Sequence, residues 1–88
     1  MTFAERNNQI IEPITKLIAD LRAEHDKYTN SSKILTEEEW RAYIDEMRGI
    51  ADKRKSTSLE NIAAYMAQYF LDDTEYVQKE LRKINDKL

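Results

Sequence analysis

The chain has no cysteine, one glycine, one proline and one histidine among its 88 residues, and each scarcity closes off a kind of chemistry. Without cysteine there is no disulfide framework, no thiolate nucleophile and no zinc finger, and the fold stands without covalent staples. A single glycine, Gly49, cannot build a phosphate-cradling loop, so the usual modes of nucleotide binding are excluded. Only one valine is present and glycine and proline for tight turns are scarce, while apolar residues recur at steps of three and four, which points to helix throughout. No window approaches ~18 uncharged apolar residues, and Met1–Asn8 lacks a basic segment followed by an apolar run, which argues against a membrane span and against secretion. A cytoplasmic setting is the economical expectation.

Excess positive charge is missing too. Lys and Arg number 14 against 17 Asp and Glu, a formal charge of −3, and such a surface has no general attraction for phosphate backbones. What is present is a balance of 41% hydrophobic and 35% charged residues, too apolar for a disordered tail and suited to one soluble domain over residues 1–88. A chain of this size buries roughly 60 to 65% of the surface its unfolded form exposes, so the core will be thin.

The expected fold is an all-α bundle of three helical runs, about 3–28, 37–55 and 58–87. In the first run, Thr2 and Glu5 form a capping-box pattern. Phe3, Ile10, Ile14, Leu17, Leu21 and Tyr28 mark the face to be buried, with Ile11 and Ile18 widening it. The apolar phase is the same on both sides of Pro13, so a kink near Gln9 to Glu12 is expected rather than a reversal. Thr36 to Glu39 is the clearest start signal, a capping box with Leu35 and Trp40 at the positions of a hydrophobic staple. Trp40, Tyr43, Ile44, Met47, Ile50 and Ala51 follow on one face. Lys53, Arg54 and Lys55 fall on the last turn, where cations suit the helix dipole.

In the third run Thr57 and Glu60 repeat the capping pattern, and Leu59, Ile62, Ala63, Met66 and Phe70 form the expected core stripe. At about 100° per residue Tyr65, Tyr69 and Tyr76 fall on one flank of it, and Leu71 points away on the other side. A break at Asp72-Asp73 gives Leu71 a partner, because Asp72 and Glu75 repeat the capping spacing with Leu71 and Tyr76 at staple positions. The break also lets Val77, Leu81, Ile84 and Leu88 fold back onto the core, giving four segments. An unbroken run would leave apolar ends uncovered and favour a homodimer.

The inventory for catalysis is short. His25 has Arg22 three residues before it, not the glutamate of carboxylate-bridged metal bundles, and reads as a border residue of the core. Glu37, Glu38 and Glu39 point in different directions on a helix and read as dipole partners rather than cation ligands. Asp72 to Glu75 lacks the ligand spacing of a calcium loop. The expectation is therefore a non-enzyme with no metal and no cofactor. Two surfaces remain. The Tyr65, Tyr69 and Tyr76 flank suits either a core border or an interface with another protein, since tyrosine combines apolar area with a hydroxyl that tolerates water. The basic turn Lys53, Arg54 and Lys55 is the alternative, a phosphate contact for nucleic acid, but three cations on an acidic chain make a small patch. In composition the chain resembles short helical reading frames of bacteria and their phages. The function expected is protein binding, as a regulator, inhibitor or assembly factor.

Overall fold

The computed structural model describes residues 1–86, which form three helices and no strand: α1 over Phe3–Thr29, α2 over Glu37–Asp52 and α3 over Glu60–Asp86. The predicted end of the third run at residue 87, and Leu88 in its apolar spacing, lie outside the described residues. Contacts set the directions. Asp20 of α1 meets Arg54 just after α2, while Tyr28 meets Tyr43 in the first half of α2; His25 packs on Phe70 of α3. The helices thus run up, down and up, with α1 and α3 parallel.

The first two starts follow from their caps. Thr2 Oγ1 accepts the Glu5 N–H at 3.2 Å, and α1 continues through Pro13 without reversing. At Thr36 the full reciprocal box is present: Glu39 N–H donates to Thr36 Oγ1 at 3.1 Å and Thr36 N–H to Glu39 Oε1 at 3.0 Å, satisfying two donors that would otherwise be orphaned. Lys33 also sits 2.8 Å from the Glu39 carboxylate. Its ammonium, the Thr36 backbone N–H and the Thr36 hydroxyl hold that carboxyl down to about 2.

The expected extension of the second run to Lys55 is not observed. Beyond Asp52 the chain tightens, Arg54 N–H bonding Ala51 O and Lys55 N–H bonding Asp52 O, and then reverses through Ser56 at φ 65°. This is a left-handed conformation taken without glycine. The cap of α3 is displaced as well. Thr57 Oγ1 accepts from Leu59 N–H, and the Glu60 carboxylate reaches back to Ser56 N–H rather than to Thr57, so α3 starts at Glu60 instead of 58.

The break at Asp72-Asp73 is absent, and α3 is one continuous helix. The capping signal is spent within the helix. Asp72 accepts from Gln68 one turn earlier at 2.8 Å, and Thr74 Oγ1 donates backward to Phe70 O at 2.8 Å. Leu71 needs no break to find cover, because the buried face of α3 is Ala63, Ala67, Leu71, Thr74 and Gln78. Relative to the stripe Leu59, Ile62, Met66 and Phe70, this face is rotated by roughly a quarter-turn. Small Ala63 and Ala67 face Tyr43, Met47 and Ile50 of α2 and Leu17 and Leu21 of α1 in one core cluster. Met66 and Phe70 lie half-buried at its edge, and Ile62 is exposed.

Two buried polar side chains of α3 join it to the rest. Gln78 Oε1 accepts Leu35 N–H at 2.8 Å and its Nε2 donates to Lys33 O at 3.1 Å, so the 30–36 connection is fastened over the second half of α3. That cover removes the reason for α3 to fold back. At the opposite end α1 projects. Every residue from Met1 to Pro13 is exposed, and α1 overhangs the start of α3 by about 20 Å at 1.5 Å per residue. Added to the length of α3, this overhang accounts for a long axis of 61 Å against 23 and 17 Å across.

Candidate functional site on the outer face of α3

The quarter-turn that buries Leu71 carries the tyrosines outward. Tyr65, Tyr69 and Tyr76 lie nearly opposite the centre of the buried face on a helical projection, and their exposures are 78%, 72% and 65%. They are therefore not a border of this core. Exposed Ile62 precedes them one turn earlier, and Tyr69 meets the edge of Phe70 at 6.2 Å between ring centres, nearly perpendicular. The result is a ridge of aromatic and aliphatic side chains along one helix. Asp72 and Asp73 flank it, whereas Glu75 pairs with Lys79 at 3.3 Å and Glu60 accepts from Ser56 N–H at the start of the helix.

The basic turn is arranged differently. Arg54 is largely buried, donates to Ile50 O at 3.0 Å and pairs with Asp20 at 2.8 Å, closing the exposed carbonyl end of α2. Its guanidinium holds the Asp20 carboxyl below the ordinary range. Lys55 pairs with Asp52 at 3.3 Å. Of the three cations only Lys53 forms no ion pair among the described residues.

His25 lies at the bundle's centre of polarity rather than at a free site. Its Nδ1 is 2.8 Å from Tyr43 Oη, which is 3.0 Å from Thr74 Oγ1. Thr74 has one hydroxyl proton and gives it to Phe70 O, so Tyr43 donates to Thr74 and His25 donates from Nδ1 to Tyr43. One residue from each helix thus enters a single ordered chain. Burial pushes the Tyr43 phenol upward. Asp73, Thr74, Val77 and the 29–32 segment frame a cleft of about 370 Å³ beside His25.

A second polar cluster joins α1 to α2. Lys27 lies 3.9 Å from Glu24 and 3.4 Å from Glu46, and one oxygen of each carboxylate is buried without a hydrogen bond. The facing Glu46 carboxylate raises the Glu24 carboxyl. Two carboxylates so placed share a proton more readily than either would hold one alone. Among the described residues no group of three His, Asp or Glu is placed to hold a metal ion, and Glu37, Glu38 and Glu39 sit in the first turn of α2.

Sequence reasoning passed over Thr74, which lies in the stretch Asp72 to Glu75 read as a helix start, and Gln78, a polar side chain in the helical tail after it. Their spacing from Ala63, Ala67 and Leu71, in steps of four, four, three and four, was the available signal. Comparison with family models, with curated proteins and with solved structures finds no match for the chain.

Proposed function

We propose that this is a non-catalytic, cytoplasmic protein-binding module, a regulator, inhibitor or assembly factor, which docks another protein along the outer face of α3. The observation that carries the reading is the exposure of Tyr65, Tyr69 and Tyr76 in one line on a helix whose opposite face already holds the core. Three rigid aromatic side chains lose little conformational entropy on contact and supply large apolar area, the properties of residues that dominate protein interfaces. Leaving them in water serves no purpose in the packing of this bundle.

The charge around the ridge narrows the partner. Asp72 and Asp73, which flank the ridge and form no ion pair among the described residues, favour a partner surface that combines apolar side chains with Arg or Lys, and a guanidinium can stack on a tyrosine face while meeting a carboxylate. The described residues include no helix long and apolar enough to cross a membrane. The test is affinity capture from the native host with the wild-type chain and a Tyr65→Ser/Tyr69→Ser variant of matched stability. Loss of a specific protein with the variant supports the reading. Equal recovery by both, with unfolding unchanged, removes the ridge as the binding site.

A further inference from the structure

We propose that Glu24 and Glu46 form a proton-operated latch between α1 and α2, in which one proton held between the two carboxyls fastens the last turns of α1 to α2 and its loss releases them. The inference does not rest on the tyrosine ridge.

Two acids meet across the α1–α2 contact with no donor between them. Glu24 Oε2 and Glu46 Oε2 are each buried without a hydrogen bond, although the two side chains as wholes are 30% and 37% exposed. The pair is thus open to water along its edge, so protons reach it, while its inner oxygens are shut off from water as a source of hydrogen bonds. An ionised carboxylate only accepts, and a buried acceptor without a donor is costly, more so when charged. A carboxylic acid has one O–H to give. A single proton therefore supplies the missing donor for both inner oxygens at once, in a short charge-assisted bond from one carboxyl to the other.

The surrounding groups decide which carboxyl carries it. Lys27 Nζ donates to Glu46 Oε1 at 3.4 Å and stands 3.9 Å from Glu24 Oε2, and the Tyr28 hydroxyl also faces Glu46. Glu46 keeps the negative charge and Glu24 takes the proton. The bond between them, and then burial, raise the Glu24 carboxyl, and the same bond lowers that of Glu46. Lys53, just after α2, opposes the rise at Glu24 only weakly. His25 beside Glu24 turns to Tyr43 and Phe70 instead, and Asp73 of α3 acts on Tyr43.

The turn so fastened carries His25 and Tyr28, both of which reach Tyr43, so the latch holds the part of α1 that enters the His25–Tyr43–Thr74 chain. Its direction with pH follows from the two carboxyls. Stabilisation from Glu24 is complete below the ordinary 4.5 and is lost as pH rises through its raised folded value. Stabilisation from Glu46 is present above 4.5 and is lost as pH falls through its lowered one. The latch is closed between the two folded values. It opens on the alkaline side, where two carboxylates share one ammonium.

NMR titration of the glutamate side-chain carboxyl carbons in the wild-type chain, with urea midpoints and amide exchange from about pH 5 to 8, tests the latch. Glu24 is expected to titrate above 4.5 and Glu46 below it. Glu24→Gln sets a permanent N–H donor where the proton sat. Its urea midpoint is expected to decline less with rising pH than the wild type's and to lie above it at the alkaline end. Exchange over residues 24–29, corrected for the intrinsic effect of pH, is expected to quicken across that interval in the wild type and not in the variant. Both carboxyls titrating together at the ordinary value, midpoints with the same pH dependence, or equal exchange in the two chains would each overturn the proposal. If Glu24→Gln does not fold, the carboxyl titration of the wild type decides alone.

Discussion

Leu71→Ala and Tyr69→Ala, compared in urea unfolding, separate the two phasings of α3 cleanly. Leu71 is 4% exposed and belongs to the core with Tyr43, Met47, Ala63 and Ala67. Truncation there loses the transfer energy of the side chain and leaves a cavity, about 3 kcal/mol in a range of roughly 2 to 5. A chain of this length has a total stability of about 4 to 13 kcal/mol, so a loss of about 3 kcal/mol is roughly a quarter to three quarters of it. With a urea slope near 1 kcal/mol/M for a small domain, the midpoint falls by about 3 M. Tyr69 is mostly solvated, and alanine improves helix propensity by about 0.5 kcal/mol. Its midpoint should stay where it is or rise slightly. If instead Tyr69→Ala costs more than about 2 kcal/mol and Leu71→Ala less than about 1, the buried face of α3 is the one its largest side chains suggest and the argument for an outward ridge fails.

Other consequences concern single groups. A Cβ added at Gly49 meets nothing within 4 Å, so Gly49→Ala is expected to stabilise α2 by about 1 kcal/mol in thermal or chemical unfolding; destabilisation would place a neighbour there that the structure does not. Tyr43→Phe removes the central hydroxyl from the His25–Tyr43–Thr74 chain and strands the His25 donor, at a cost of about 1 to 3 kcal/mol by calorimetry. The Glu39 carboxyl titrates at about 2 in the fold against an ordinary 4.5. Because the folded value is depressed, its stabilisation is present in full above the ordinary value and is lost as pH falls toward 2. Urea midpoints measured across that interval should fall less steeply for Glu39→Gln than for the wild type.

Much of this fold is legible in the sequence, for reasons that differ by element. Helix starts at Thr2 and Thr36 are written locally, since a hydroxyl and a glutamate three residues on can satisfy the same few N–H groups, but the same spacing gives a shifted start at Thr57 and none at Asp72. The end near Tyr28 follows from Thr29-Asn30-Ser31-Ser32, whose side chains compete for backbone hydrogen bonds, and the all-α class from periodicity. The phase of α3 does not. Ranking positions by side-chain size puts Ile62, Met66 and Phe70 inward, whereas packing of three helices around one axis rewards small residues where backbones approach, and Ala63 and Ala67 occupy those positions. Thr74 and Gln78 compound the error, because their burial depends on partners 31 and 43 residues away, at Tyr43 and Leu35. The tyrosine cluster was therefore visible as a cluster, and its orientation was not. The basic turn is a related case: Arg54 is recognisable as a cation, but only the fold brings Asp20 to it.

Glycine aside, the correction that matters for function is that an unbroken α3 sorts the apolar residues of Thr57 to Asp86 onto two faces rather than one. Its inner face is satisfied within the bundle; its outer face and the exposed start of α1 are not. The chain thus exposes two separate apolar stretches, an aromatic ridge on α3 and an aliphatic one on the projecting part of α1.

Site-resolved tyrosine modification, read by mass spectrometry on the free chain and again on the complex recovered from the host, tests the central claim most directly. The account predicts that Tyr65, Tyr69 and Tyr76 react readily in the free chain while Tyr43, fully buried, is spared, and that the same three become protected in the complex. Protection of Tyr65 and Tyr69 in the free monomeric chain, or undiminished reaction at all three in the complex, would contradict it.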